Sequence, residues 1–597
     1  MTGMNRGGAL VELLRLAKRT SIRSLVLIST FSAVDNLTSV LYAFWLKLVL
    51  DAAVDGDRGQ LLLTVAGLGL AGVVQGVSGW LRFTFETNLV DRIAHLVDLD
   101  ITAAFNRVDS LDVYERSDIA DEVEVLSGRG QAIGNCLSSV IGGFGLLVST
   151  VTTFWLLGSV SHILLALPVL GIFPLVRSAR NGRIIDRSTV AVAEDQRRAR
   201  HVYELLTTPD SAKEIRLYSV DRPLRERLDA LNRSVDWRLR VASLRAGLVS
   251  GAGHLAFGAG YVLALVWVGH EVLSGSGTIG DFVLVLALGG RINSLLSRVT
   301  ASAGNISSGL HNVARYRKIL TAAESYGGGN GGGRDAPVRL HSGIVLEDVS
   351  YTYDSRNEPA VRCLNAHFPA GSSVVLVGSI GAGKSTVVRL LSKLCEPSSG
   401  RILVDGVDLR SLSTASWRDR MAALFQDYSR MEFSLRDDVG LGDLTAGFDR
   451  RRIESAMASG GAEQLVAELP GGLDTQLGRS FSDGVDLSGG QWQRVGISRS
   501  MMRSQPLLLI MDEPSSALDA DAEERIFLAS MELSRRAKSE RGAITILVSH
   551  RFASAKLADL VVVLDRGEIR EMGAHDELLS LDGAYAAMYR QQADGYR

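Results

Sequence analysis

The sequence predicts two domains of different class: an all-α domain of six apolar helices, followed by an α/β domain built around a phosphate loop. Three observations carry this. Apolar stretches long enough to cross the ~30 Å hydrocarbon layer recur at about 24–50, 60–81, 132–157, 161–177, 244–270 and 278–300. A glycine run, Gly327-Gly328-Gly329-Asn330-Gly331-Gly332-Gly333, interrupts the chain, and beyond it Gly378–Ser385 reads GxxxxGKS. The predicted boundaries are 1–322 for the membrane domain, 323–337 for a flexible linker and 338–597 for the α/β domain.

Composition agrees with a split chain. At 597 residues it is too long for one core. Hydrophobic residues make up 46% of it, and mean hydropathy is +0.15. Lys plus Arg total 64 against 66 Asp plus Glu, a net charge of −2, so no global basic excess points to nucleic acid. Cys136, Cys363 and Cys395 are far apart and form no CxxC, which argues against a disulfide or metal framework.

Charge orients the membrane half. Arg6, Arg15, Lys18, Arg19 and Arg23 precede the first span, and no small-residue cleavage site closes that span early, so it is expected to stay uncleaved. Arg177, Arg180, Arg183, Arg187, Arg197, Arg198 and Arg200 follow the fourth span. Asp51, Asp55 and Asp57 lie between the first two. The positive-inside tendency then places both termini in the cytoplasm. The fourth span is short, holds Pro168 and Pro174, and is joined to the third by a tight hairpin near Gly158–Ser161. Residues 82–131 and 178–243 are long, polar and helix-compatible, as cytoplasmic extensions of membrane helices would be. Asp35 lies inside the first span. A carboxylate is costly there, so it should face a cavity, a cationic substrate group or the bundle. Gln75 and Asn135 are weaker cases, since polar residues often hydrogen-bond between membrane helices.

The second half carries the chemistry. Ser373–Val377 is a short apolar strand, and Gly378-Ser379-Ile380-Gly381-Ala382-Gly383-Lys384-Ser385 follows, opening a helical run from Thr386. Backbone N–H groups of such a loop close on phosphate oxygens, and the helix N-terminus adds positive potential. Lys384 is expected on the β- and γ-phosphates and Ser385 on Mg²⁺. A dinucleotide GxGxxG reading fails because its third glycine is absent. Leu507–Met511 is a second buried strand ending in Asp512-Glu513. Asp512 suits the Mg²⁺ side and Glu513 a base that polarises the attacking water. A third strand, Ala543–Val548, ends at Ser549-His550, and Leu487-Ser488-Gly489-Gly490-Gln491 lies between the phosphate loop and the acidic pair.

This order of motifs resembles the ATP-binding-cassette (ABC) exporter half-transporters along nearly the whole chain. The resemblance implies an exporter-type six-helix membrane domain followed by a P-loop nucleotide-binding domain, with ATP and Mg²⁺ bound. It implies that Gln426 touches Mg²⁺ and the water, that His550 contacts the γ-phosphate, and that Ser516-Ala517-Leu518-Asp519 lies at a dimer seam. Tyr353 is the preferred adenine-stacking aromatic, with Tyr351 alternating beside it. Ser488, Gly489, Gly490 and Gln491 of one copy would complete the site built on Lys384 and Glu513 of another. The partner is a second copy or a homologous half-transporter. Leu111–Asp118 and Thr208–Ile215 are candidate coupling helices, an ordinary solvated helix face being the alternative. One departure stands out: Phe481-Ser482-Asp483-Gly484 replaces the usual Gly-Glu-x-Gly, so Ser482 takes the glutamate position. That form, with Gln491-Trp492-Gln493, looks like variants among exporters of peptide antibiotics and other bacterial metabolites.

The expected function is ATP-driven export of a hydrophobic or amphipathic peptide, drug or metabolite across the cytoplasmic membrane. A lipid or glycolipid flippase and a siderophore-type importer are alternatives on the same fold. A soluble ABC ATPase acting on DNA or ribosomes is disfavoured by the six spans. A leader peptidase is not expected either, because no Cys/His domain precedes the first span.

Overall fold

A computed structural model describes residues 6–20, 22–116, 119, 122–123, 126, 130–326, 333–354, 356–503, 505–514, 541–549 and 555–595. The chain divides into two compact units. The first comprises Met1–Ile101 with Glu122–Lys318, and the second Thr102–Asp121 with Ile319–Arg597.

The first unit is helical. Among the described residues, five helical segments are long and apolar enough to cross a membrane: Ile22–Asp55, Arg58–Asn106, Gly130–Val160, Gly251–Leu273 and Ile279–Tyr326. The fourth predicted span falls in the helix Ala166–Thr207, where the side chains of 171–187 lie outside the described residues. The predicted hairpin before it is present as a short 3₁₀ turn, His162–Leu165, entered through extended backbone at Ser161. At 1.5 Å per residue the 49-residue helix Arg58–Asn106 is about 74 Å long, more than twice the ~30 Å hydrocarbon layer. The polar stretch after 82 therefore continues the helix rather than looping back.

Small residues let these helices touch. A Cβ on Gly134 would stand 2.8 Å from the Val90 Cα, so only glycine permits that approach. Val40, Leu157, Phe257, Val268, Val285 and Leu288 form part of the apolar centre. A charged belt crosses the bundle. Asp35 pairs with Arg82 at 3.3 Å, and Arg82 with Glu86 at 3.0 Å; Ser138 donates to Glu86. Arg291 donates to the Asn36 carbonyl at 2.8 Å and to Ser149 Oγ at 3.1 Å. Asp35 thus faces the bundle and is neutralised there, as the cost of a bare carboxylate in lipid requires.

In the second unit the strands are β1 (Gly343–Tyr351), β2 (Val361–Pro369), β3 (Ser373–Gly378), β4 (Ser399–Val404), β5 (Val407–Asp408), β6 (Met421–Leu424), β7 (Leu508–Asp512), β8 (Ile544–Val548), β9 (Leu560–Asp565) and β10 (Glu568–Gly573). They form a four-stranded sheet in the order β2-β1-β4-β5 and a six-stranded sheet in the order β10-β9-β3-β8-β7-β6. The first sheet is antiparallel. In the second, β9, β3, β8, β7 and β6 run parallel, and β10 is antiparallel at one edge.

The continuous apolar runs of the central strands follow from burial on both faces. Val374 and Leu376 of β3 join one core with Leu508, Ile510 and Ile546. Val375 and Val377 join the other with Leu509, Met511 and Trp492. The period-2 pleat sends neighbours to opposite faces, so each strand serves two cores. All the parallel strands then end along one rim, where the phosphate loop follows β3, the acidic pair closes β7 and Gln426 follows β6.

Candidate nucleotide site

The loop Gly378–Lys384 leaves β3 and enters the helix Lys384–Leu391. Its path needs glycine at more than one point. Gly378 has φ 154°, and a Cβ there would lie 2.2 Å from the Leu564 carbonyl oxygen. Gly383 caps the helix at φ 102°, with Val361 and Ala360 too close for a side chain. Lys384 is buried and folds back over its own loop, donating to the carbonyls of Gly378 at 2.9 Å and Ser379 at 3.0 Å. Burial lowers its pKa, and the charges of Glu513 and Asp512 oppose that shift.

A cleft of about 700 Å³ opens over this loop. It is lined by Ile380, Gly381, Ala382, Gly383, Lys384, Ser385 and Thr386, together with Tyr353, Arg356, Arg389, Gln426 and Glu513. Of the two candidate aromatics it is Tyr353 that lines the cleft; Tyr351 is buried behind it, 5% exposed. The Tyr353 hydroxyl hydrogen-bonds Thr386 Oγ1 at 3.0 Å. The guanidiniums of Arg356 and Arg389 lie 6.0 and 5.9 Å from its ring centroid. Sequence reading missed both arginines. Arg389 carries a usable signal, since it lies on the first turns of the phosphate-loop helix.

The acidic pair ends β7. Asp512 is 3% exposed, and its pKa is raised to about 6 by burial first and by neighbouring Glu513 second, with a hydrogen bond from Ser385 acting against this. One Asp512 oxygen, Oδ1, is buried with no hydrogen-bond partner. An orphaned carboxylate oxygen beside the Ser385 hydroxyl is the donor set a hard divalent cation takes, so Ser385 and Asp512, with Gln426 nearby, fit Mg²⁺. Glu513 adopts φ 49°, unusual for a non-glycine residue, held by its N–H donating to the Val548 carbonyl at 3.0 Å. Gln426 Nε2 donates to Glu513 Oε2 at 2.9 Å. Glu513, the expected base, and Gln426 are therefore joined directly. His550 and Ser516–Asp519, including Asp519, lie outside the described residues.

The motif at Leu487–Gln491 opens the helix Gly489–Met501. Ser488 Oγ accepts from the Gln491 N–H, and Gln491 Oε1 accepts from the Ser488 N–H at 2.9 Å, a complete capping box. The Gln491 side chain is thus occupied by its own helix, and its Nε2 also donates to Glu468 at 3.4 Å. Ser488 and Gly489 are exposed, so the helix N-terminus, capped at the Gln491 N–H, is presented on the surface in a position suited to an anion. None of Leu487–Gln491 lines the cleft over Lys384. The helix is anchored at its other end by Arg499, whose Nε donates to the Asp438 carbonyl at 3.0 Å and to its carboxylate at 3.1 Å. Ser482 is exposed, as are Phe481 and Asp483.

Comparison with known proteins follows the same division. The ABC transporter model matches residues 361–516, and the ABC transporter transmembrane region model matches 25–292. The ATP-dependent lipid A-core flippase of Xylella fastidiosa strain Temecula1 is 30% identical over 412 residues, 67% of each chain. The chain belongs to the ABC transporters. Other relatives of this transporter share shorter stretches. The ATP-dependent lipid A-core flippase of Alcanivorax borkumensis is 34% identical over 313 residues, 52% of this chain and 51% of that one. The subtilin transport ATP-binding protein SpaT of Bacillus subtilis is 36% identical over 249 residues, 42% and 39%. The chain spans about half the length of the curated relatives it matches. A solved structure of a bacterial Atm1-family ABC exporter with ATP bound superposes with TM-score 0.73 at 24% identity, covering 96% of this chain and 98% of that one. That likeness shows the exporter fold.

Removal of Lys384 should weaken nucleotide binding most among the cleft residues that carry no catalytic role. Hydrogen bonds to charged groups contribute about 1.5–3 kcal/mol, so Lys384→Ala should lose roughly 10- to 100-fold in ATP affinity. Titration with a fluorescent ATP analogue measures it. An unchanged affinity would place the phosphates elsewhere.

Proposed function

We propose that this ABC transporter is one half of an ATP-driven exporter that works as a pair of identical chains in the cytoplasmic membrane, with both termini and the ATPase domain in the cytoplasm. One observation carries the reading: the helix N-terminus at Ser488–Gly490, exposed at Ser488 and Gly489, does not line the cleft that its own chain builds. A second copy placed head-to-tail would bring that N-terminus to the triphosphate bound over Lys384. A homologous half-transporter could take the place of the second copy. In this reading Lys384 and the loop amides hold the phosphates, Tyr353 holds the base, and Ser385, Gln426 and Asp512 hold Mg²⁺. The bound Mg²⁺ would neutralise charge on the phosphates. Glu513 accepts the proton of the attacking water while Gln426 fixes its orientation, and His550 and Asp519 belong to the same site by resemblance. Little covalent chemistry is asked of the protein; positioning and charge stabilisation suffice.

The cargo is a hydrophobic or amphipathic molecule. Large apolar side chains such as Leu62, Leu63, Leu70, Val73 and Leu255 remain exposed on the helices, while the groups from Asp35 to Arg291 add polar side chains within the bundle. A peptide, drug or metabolite fits that description. A lipid or glycolipid also does, and two of the relatives above are named as lipid A-core flippases while another is named for subtilin transport. Oriented vesicles loaded with ATP separate the readings. Export predicts accumulation of a fluorescent amphipathic substrate on the side opposite the ATPase domain, lost with ATP omitted. Movement toward the ATPase side would overturn the proposal in favour of import.

A further inference from the structure

The segment at Asp109–Glu115 belongs to the same compact unit as the nucleotide cleft. It includes the short helix Asp112–Glu115, within the first of the two predicted coupling helices. Arg418 holds its first residue, Asp109, and two further contacts bear on the cleft. Leu111 N–H donates to the Leu394 carbonyl at 2.8 Å, just beyond the end of the phosphate-loop helix. Asp112 Oδ1 accepts from the Tyr351 hydroxyl at 2.6 Å, and its other oxygen accepts from Ser110 Oγ at 2.7 Å.

From Tyr351 the contacts lead straight to the cleft. Its ring meets that of Tyr353 edge-on, with centroids 4.9 Å apart and planes at 86°. Tyr353 in turn bonds Thr386, the residue after Ser385. Because Tyr351 is buried, its hydroxyl has no water to fall back on. Leaving it unpaired would cost the full desolvation of that group, so phenol and carboxylate must move together. Hydrogen bonds also weaken steeply with angle, so a small pivot of the ring is felt at Asp112.

We propose that the Asp112–Tyr351 hydrogen bond transmits the occupancy of the adenine platform at Tyr353 to the segment at 109–115, with Tyr351 and Asp112 as positioning residues for that platform. The route is separate from the one through Gln426, because it reads the base rather than the phosphates. It rests on the ATP-site reading above. Coupling of this kind is reciprocal: a nucleotide that fixes the segment is itself held more tightly by a segment in place.

The test uses the full chain in lipid nanodiscs. Tyr351→Phe keeps the ring and removes the bond, and Asp112→Asn alters the acceptor from the other side. Each should raise the KM for ATP about three- to tenfold with a smaller change in kcat. The double variant should be no worse than either single one, since one shared contact is lost. A purely structural role would not move the second readout. A saturating non-hydrolysable ATP analogue should slow amide hydrogen exchange across 107–115 in the wild type, and this slowing should vanish in Tyr351→Phe even though the analogue still binds. Unchanged KM together with unchanged nucleotide-dependent protection in both variants would overturn the route. A wild-type chain that bound no ATP would instead overturn the site reading itself.

Discussion

Glu513→Gln should leave ATP binding intact and reduce hydrolysis by about 10²- to 10⁴-fold, the span a positioned general base contributes. The expectation comes from geometry. Glu513 faces the cleft at the end of β7, and its carboxylate accepts from Gln426 at 2.9 Å. The amide has the same shape and can still meet Gln426, but it cannot take a proton from water. The proposed phosphate contacts, Lys384 and the loop amides, keep their side chains and backbone in this variant. Phosphate release and nucleotide binding, measured on the same preparation, separate the two effects. Near-normal hydrolysis would remove Glu513 from the role of base.

The second large effect concerns stability. Asp438 is fully buried and its partner Arg499 is 16% exposed. Burial raises the Asp438 pKa, and the Arg499 charge opposes that shift. Removing one member of such a pair strands the other charge in a poor solvent, so Asp438→Ala should destabilise the ATP-binding domain by about 3–5 kcal/mol. Replacing both, as in Asp438→Leu with Arg499→Met, should cost much less, because no charge is left unpaired. Thermal unfolding followed by tryptophan fluorescence checks this, since Trp492 lies on the same helix as Arg499 and is 2% exposed. Equal losses in the single and double variants would show that packing, not charge pairing, sets the cost. The pair also holds the helix that presents Ser488, so the same variant should lower hydrolysis before the domain unfolds.

Much of this site is legible in the sequence because its parts are local. The phosphate loop needs glycines at fixed offsets between a strand and a helix. The acids need only a strand end, and both readings describe the observed β3 and β7. Two residues apart, Tyr351 and Tyr353 would share one face of a continued strand, and the pleat cannot say which ring meets the nucleotide; that depends on where β1 ends and how it sits against β4, a long-range pairing. The Asp112–Tyr351 bond joins residues 239 apart and leaves no local trace. Asp35 shows the same limit. Its burial is foreseeable from hydropathy, whereas its partner Arg82 depends on how two membrane helices pack. The Gln491 side chain is a different case. Ser488-x-x-Gln491 is a capping box readable by rule, and attention to that rule would have assigned the side chain to its own helix and left the exposed backbone at Ser488–Gly490 as the surface offered to a nucleotide.

If two copies of this chain make a complete ATP-driven machine, the purified chain hydrolyses ATP without any other protein. The protein would be reconstituted in lipid and assayed with Mg-ATP, with and without a panel of peptides, hydrophobic drugs and glycolipids. Hydrolysis should be saturable, require Mg²⁺ and be stimulated by one class of amphipathic compound. A folded, membrane-embedded chain that binds ATP and does not hydrolyse it under any of these conditions would rule out the self-sufficient pair and show that a different partner completes the site.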